Sequence, residues 1–504
     1  MKTKKLTKVI AGCLALTACF TLFSCGKNEN DIADGGKFSL EDLDFKGETF
    51  TIQSSANLNP WDENGFRSSN YLIQGAEEIV GDKASDAALQ RNSKVENDLN
   101  IRLNYMESDY SYLTVSSDIR NLILGGGADD IQLIINDIRI IGLCAEGLFH
   151  DASSGAYFDF EQNYWYDDLM ESVALKSGTR HVLMGDFFID IIRYSNSILF
   201  NKDLYEIFGG DGESIYDVVH SGDWTLDKLM SILQGGEGYS YNSTYIDFTG
   251  NRKRDSRDTY GIAFTDYWGS SIPFMVSTDP GYITRDEEGF PQLANYNNNT
   301  VSLCEKLDKL YHMPETAFMI HKDDAAARKA FLENRVLFLG GQMLGHLESS
   351  DYANSEMNFA ILPYPKLNEY QQDYVSPIHD ITEVGFIPAT VSFAEFDLVS
   401  AVIEALTKES ANTVIPKYYE STLKIRYARE SANADMIQLI HDHYGNAFPL
   451  AWDYSIANFI MGSVSQTIKN GADTYASYYR SYENTAQSTL TDLVTNYKNT
   501  TGDR

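Results

Sequence analysis

The chain has 504 residues, with 72 Asp and Glu against 40 Lys and Arg, a formal net charge of −32. That balance argues against a nucleic-acid partner or adhesion to anionic lipid, since both need a basic surface. The length exceeds one typical domain and 43% of residues are hydrophobic, so two lobes with a sizeable core are expected.

Taken in chain order, Lys2, Lys4, Lys5 and Lys8 come first, before an apolar segment of 16 residues from Val9 to Ser24. This is shorter than the roughly 20 residues that cross a bilayer as a helix. Positive charge, a short apolar run and a small residue at its end read as a signal peptide over residues 1–24. Leu22-Phe23-Ser24-Cys25 is similar to a bacterial lipobox, in which the cysteine becomes the new N-terminus and takes acyl chains. Two or more chains give stable anchoring where one does not. Cys25 is therefore expected to be lipidated, and residues 25–44 to serve as a flexible tether; the alternative is an ordinary signal peptide with an incidental cysteine. Losing four of the 40 basic residues would leave 36 against 72 acidic, a net charge of −36. Cys144 and Cys304 lie among apolar residues and read as small buried thiols; a single disulfide between them is the alternative. No disulfide framework or zinc framework follows from such spacing.

Phe50-Thr51-Ile52-Gln53 reads as a first strand, residues 73–98 as a helix, and IRLNYM as the next strand. RNLILGGGADDIQLIIND reads as helix, glycine break and a buried strand from Ile131 to Ile135, followed by a short helix in RIIGLCAEG. The triple glycine precedes its strand and lacks GxGxxG spacing, so it predicts a helix C-cap rather than a dinucleotide loop. GDFFIDIIRYSNSILFNKDLYEIFG predicts a strand, a polar break at Tyr194-Ser195-Asn196, a second strand, and a helix opened near Asn201. Thr225 predicts an N-cap, with Trp224 before it assigned to packing. YGIAF, RVLFLGGQM, NFAILP and EVGFIP read as strands, TRDEEGFPQL as a hairpin, and FAEFDLVSAVIEALTKES as a long amphipathic helix. Strand–helix–strand alternation implies α/β sheets, mostly parallel and flanked by helices.

These stretches in this order resemble the extracellular solute-binding proteins of ABC importers, in the carbohydrate-binding family that includes maltose-binding protein. The carriers are the lipobox, GGGADDIQLIIND with GLFHDAS, SILFNKDLYEIFG with DWTLDKL, YGIAF, FLENRVLFLGG, FAILPYPK, GFIPAT and the helix before TKES. YYESTLKIRYARESANADMIQLI looks like the lipoprotein branch of that family. The resemblance implies a two-lobed periplasmic-binding-protein-like fold with a central cleft, hinge strands, and closure on the ligand. Crossings would fall near Arg193–Ser197, near Pro377–Glu383 and within 430–450. The implied organisation is 45–193 and 379–440 in lobe 1, 194–378 in lobe 2, and 441–504 as C-terminal helices mainly of lobe 2. The implied function is capture of a sugar or oligosaccharide and its delivery to ABC permease subunits by a monomer anchored on the outer face of the cell membrane.

Sugars are held by aromatic faces and by carboxylates or amides that take hydrogen bonds from hydroxyls. In open α/β sheets ligands sit beyond the carboxyl ends of strands. That rule, with the resemblance, selects Asn57 and Trp61 after the first strand, Asn136 and Asp137 after IQLII, and Asp266, Tyr267 and Trp268 after YGIAF. It also selects Gln342 after VLFLGG, Tyr194 at the first crossing, Asp380 and Glu383 near the second, and Trp452 with Asp453 in PLAWDYSIANF. Each has a structural alternative: tryptophans are often core, and Asp137 and Asp453 are placed to cap helices. His441 and His443 sit at a helix end, where histidine suits the dipole, so no metal or cofactor is expected. Asp286-Glu287-Glu288-Gly289 lacks calcium-loop spacing. One alternative function is binding of a peptide or polyamine. The other is glycoside hydrolysis by paired carboxylates, for which no nucleophile motif stands out among the 72 acidic residues.

Overall fold

The computed structural model describes residues 39–55, 68–75, 82–111, 113–209, 214–264, 270–318, 324–353, 355–420 and 431–502. Its strands in chain order are β1 (Glu48–Ser55), β2 (Ile101–Ser108), β3 (Leu133–Asp137), β4 (Asn196–Asn201), β5 (Tyr260–Phe264) and β6 (Ile283–Arg285). There follow β7 (Pro291–Leu293), β8 (Thr316–Phe318), β9 (Val336–Met343), β10 (Phe359–Leu362) and β11 (Glu383–Phe386).

Two main sheets result, one in the order β11-β3-β1-β2 and one in the order β10-β4-β9-β5-β8. In the first, Phe50 and Ile52 of β1 are fully buried, and β1 runs parallel to both β2 and β3. β11 returns antiparallel to β3. In the second, β5 is parallel to β8 and β9, whereas β4 is antiparallel to β9 and β10. The sheets are thus partly parallel. Geometry requires the mixture: β4 starts beside the crossing segment and β9 ends there, so as neighbours they must run in opposite directions.

Several helix boundaries follow their caps. Asn201 accepts from Leu204 N at 2.8 Å and Thr225 from Lys228 N at 3.2 Å, opening Lys202–Ile207 and Leu226–Gln234. Gly125 N donates to Asn121 O at 2.9 Å and Gly126 takes φ 74°, so the triple glycine ends the helix Val115–Leu124. Asp286 Oδ1 accepts from Glu288 N and Phe290 N, closing the β6–β7 hairpin. Trp224 is fully buried and donates from Nε1 to Pro363 O at 2.8 Å. Cys144 and Cys304 are buried and unbridged.

Three elements differ from the sequence expectation. The helix expected from residue 73 starts afresh at Lys83, because Asp82 caps the amides of Ala84 and Ser85. β3 lies two residues later than the apolar run implied. There Gln132 supplies a side-chain bond, its Oε1 accepting from Thr51 N at 2.8 Å, ahead of the regular ladder. The apolar stretch before Tyr194 forms a turn and the short helix Asp190–Arg193 rather than a strand. A short, wholly buried run carries no period to separate the two conformations.

The C-terminal third also departs from the expected division. The helix Ser431–Asp442 is fixed to β10, with Asn433 accepting from Ile361 N at 2.9 Å and donating to Phe359 O at 3.1 Å. Residues 431–440 therefore join the second sheet, not the first. The helices Phe448–Trp452 and Tyr475–Thr501 pack on the 3-10 segment Ile138–Glu146 that follows β3, while Ile460–Asn470 packs on Asn298–His312. The segment after 441 is accordingly shared between the two sides. Among the described residues no helix is long and apolar enough to cross a membrane.

Candidate functional site

Three chain segments meet where the two sheets adjoin. Asn196 N donates to Pro377 O at 2.8 Å, and His379 N to Tyr194 O at 3.0 Å. Ser195 pairs with Ile378, Ser376 pairs in parallel with Tyr444, and Ser195 Oγ reaches Tyr444 OH at 3.2 Å. Leu344 N, just beyond β9, donates to Ser195 O at 2.9 Å. The polar break read at Tyr194-Ser195-Asn196 is this crossing, because its backbone groups are bonded to the antiparallel segment Pro377–His379.

Around the crossing lies a ring of buried polar groups at the carboxyl edge of the first sheet. Arg193 is wholly buried; its Nη1 donates to Asp190 at 2.7 Å and its Nε to Glu348 at 2.9 Å. Tyr418 OH donates to Glu348 at 2.7 Å, and Tyr71 OH reaches the same carboxylate at 3.4 Å. Asn70, beside Tyr71, donates to Ser55 O at the end of β1 at 3.1 Å. Across the ring, Glu383 stands opposite Asp137 in the β11–β3 register. Burial raises the Asp190 carboxyl, opposed by Arg193, and burial with Asp190 close by raises Glu383 well above the carboxylate range. Glu383 Oε2 is buried with no hydrogen-bond partner among the described residues, as are Gln53 Oε1, Ser55 Oγ, Asn70 Oδ1 and Gln342 Nε2. Unpartnered buried polar atoms cost stability, and a cluster of them at strand ends is the signature of a surface that something else completes.

The sequence-selected residues separate into three groups. Asp137, Tyr194 and Glu383 come together, with Asn136 beside them in β3 and Gln342 across β4 at the Ser197 position. Asp137 also caps the 3-10 segment, accepting from Arg139 N at 2.9 Å, and is paired with the Arg139 guanidinium. Burial raises its carboxyl against that partner. Asp380, deeply buried, is nevertheless held below the usual range by His379 and Arg139. Gln342 Oε1 accepts from Tyr352 OH at 3.1 Å.

Trp452 and Asp453 are corrections. Trp452 is fully buried at the end of its helix, stacks on Phe448 and donates from Nε1 to Val173 O at 2.8 Å, so neither ring face is open to a ligand. Asp453 is likewise enclosed and caps the helix Ile460–Asn470, accepting from Ile460 N at 2.7 Å and Met461 N at 3.1 Å. Burial pushes its carboxyl up to about 7. Cys25, Asn57, Trp61, Asp266, Tyr267 and Trp268 lie outside the described residues.

Sequence reasoning missed Asp190, Arg193 and Glu348 as site groups. The available signal was a pair of opposite charges three residues apart inside the otherwise apolar FFIDIIR. His441 stands in the last turn of the helix Ser431–Asp442, as its sequence position implied, and is also ion-paired there. It lies 3.8 Å from Asp186 and 3.0 Å from Asp442, and meets Tyr166 OH at 3.2 Å. Although burial opposes its charge, these carboxylates hold the imidazole up at about 9. It borders an open pocket whose lining includes Trp165, Tyr166, Asp168 and Tyr444.

No family model and no curated protein matches this sequence. Solved structures do match. A cyclo/maltodextrin-binding protein complexed with maltotetraose aligns over 90% of this chain and 97% of its own, at TM-score 0.52 and 11% identity. The GacH receptor of Streptomyces glaucescens, solved unliganded and with acarbose, aligns over 88% of this chain and 99% of its own, at TM-score 0.52 and 10% identity. The fold is the two-lobed one of solute-binding proteins. The bonded segments at Tyr194–Asn196, Pro377–His379 and Tyr444 run between the two sheets.

Proposed function

We propose that the protein captures a sugar or oligosaccharide between its lobes and hands it, unaltered, to the permease subunits of an ABC transporter. The observation that carries this is the row of unpartnered acceptors and amides at the carboxyl edge of the first sheet, beside hydrogen-bonded segments able to act as hinges. Both matched proteins were solved with ligands of this class, maltotetraose in one and acarbose in the other. Asn136, Asp137, Tyr194, Gln342 and Glu383 are the proposed contacts, with Asn57, Trp61, Asp266, Tyr267 and Trp268 supplied by the segments after β1 and β5. The working protein is a monomer held on the outer face of the membrane through lipid on Cys25. The test is incubation with mixed oligosaccharides, followed by mass spectrometry of the protein-bound and free fractions. Intact sugar retained by the protein supports the proposal; shortened products in the free fraction would mean hydrolysis instead.

A further inference from the structure

The buried ring described above has an unequal charge composition. Asp137, Asp190, Glu348, Asp380 and Glu383 contribute carboxylates, each with a side chain at most about a tenth exposed. The guanidiniums among them are those of Arg139 and Arg193, and both are already committed. Arg193 spans Asp190 and Glu348. Arg139 is chelated by Asp137 and turned toward Asp380 and the Tyr454 hydroxyl. Among the described residues the atoms of this set left without partners are mostly acceptors: Glu383 Oε2, Gln53 Oε1 and Asn70 Oδ1, with the Ser55 hydroxyl able to act either way. Gln342 Nε2 is the donor in this set.

From this we infer that the cleft selects a ligand presenting hydroxyl or ammonium donors and bearing no negative charge, so that uronates and sulfated sugars are excluded. The inference rests on the sugar-binding reading above and narrows its substrate class. A hydroxyl donating to Glu383 Oε2 satisfies a buried acceptor that has no partner among the described residues. An anionic group at the same place would stand against several buried carboxylates with each guanidinium already neutralised. Like charges juxtaposed in an interface are strongly disfavoured, and burial weakens the screening that would soften the effect. The acidic ring thereby rejects as well as binds, which is how discrimination between isosteric ligands is usually built.

The experiment applies the purified protein to a panel of immobilised neutral, amino-bearing, uronate-bearing and sulfated oligosaccharides, then titrates each hit and its acidic counterpart by calorimetry. The expected result is retention of neutral or amino sugars, with acidic counterparts at least about a hundredfold weaker. Asp380→Asn, which removes a carboxylate held in its charged form, should narrow the ratio of neutral to acidic affinity by at least about tenfold. An acidic sugar bound as tightly as its neutral counterpart overturns the charge selection while leaving sugar capture standing. Retention of no carbohydrate at all overturns both. If Asp380→Asn fails to fold, as judged by its thermal transition, the panel on the unaltered protein still decides.

Discussion

Replacing His441 by Gln gives the sharpest test of how the parts beside the crossing are held. His441 ends a helix anchored to β10 through Asn433, whereas Asp186 follows the Tyr164–Met184 segment, whose Leu183 pairs with Gly385 of β11. The imidazolium therefore ties an element of the second sheet to one of the first. Its folded pKa is raised from 6.5 to about 9. A raised folded value means that the charged form is favoured in the folded state. The contribution is then fully present below about pH 6.5 and is lost as pH rises through about 9. The size of the shift corresponds to about 3 kcal/mol at the low-pH limit. The groups facing the ring are Asp186, Asp442, Tyr166, Tyr419 and Tyr444, and they remain in the variant, so the difference between the two proteins isolates the imidazole. Urea unfolding of both, from about pH 6 to about pH 10, should show a stability gap that shrinks by about 3 kcal/mol across that range. A gap constant with pH would refute the ion-pair reasoning and leave His441 as packing alone.

Trp452→Ala should cost roughly 3–5 kcal/mol of stability by opening a cavity, with sugar affinity of the folded protein intact; an affinity loss in calorimetry at unchanged stability would return Trp452 to the cleft. Asp453→Ala should lower the free energy of unfolding by about 1–2 kcal/mol through loss of the cap on Ile460–Asn470, read in the same urea titration. Small-angle scattering should show compaction on adding a saturating sugar identified by the panel, and an unchanged radius would count against hinge closure at Tyr194–Asn196. Cys25→Ser should release the protein from membranes or leave its precursor uncut, measured by fractionation; a variant anchored and processed as before would remove the lipid anchor from the reading.

Local chemistry was legible in the sequence wherever one or two residues decide the outcome. Asn201, Thr225 and Asp286 hold the amides next to them, and the strands Tyr260–Phe264 and Val336–Met343 are apolar runs that need cover on both faces. The polar break at Tyr194-Ser195-Asn196 was visible for the same reason, since backbone and hydroxyl groups inside an apolar run need partners from elsewhere. Tertiary structure alone decided which enclosed residues gather at the crossing. Trp452 and Asp453 occupy helix ends that the pattern allowed to point either way, and only packing against Phe448, Val173 and the start of Ile460–Asn470 turned them inward. Arg193 gave the converse case. Asp190 in FFIDIIR is its local partner, but Glu348, 155 positions further along, reaches its guanidinium only through the fold, and a buried charge is tolerable only when its partners are in place. Sequence spacing encodes contacts that close within a turn or along a strand; contacts that close across the crossing depend on where the two sheets place their ends.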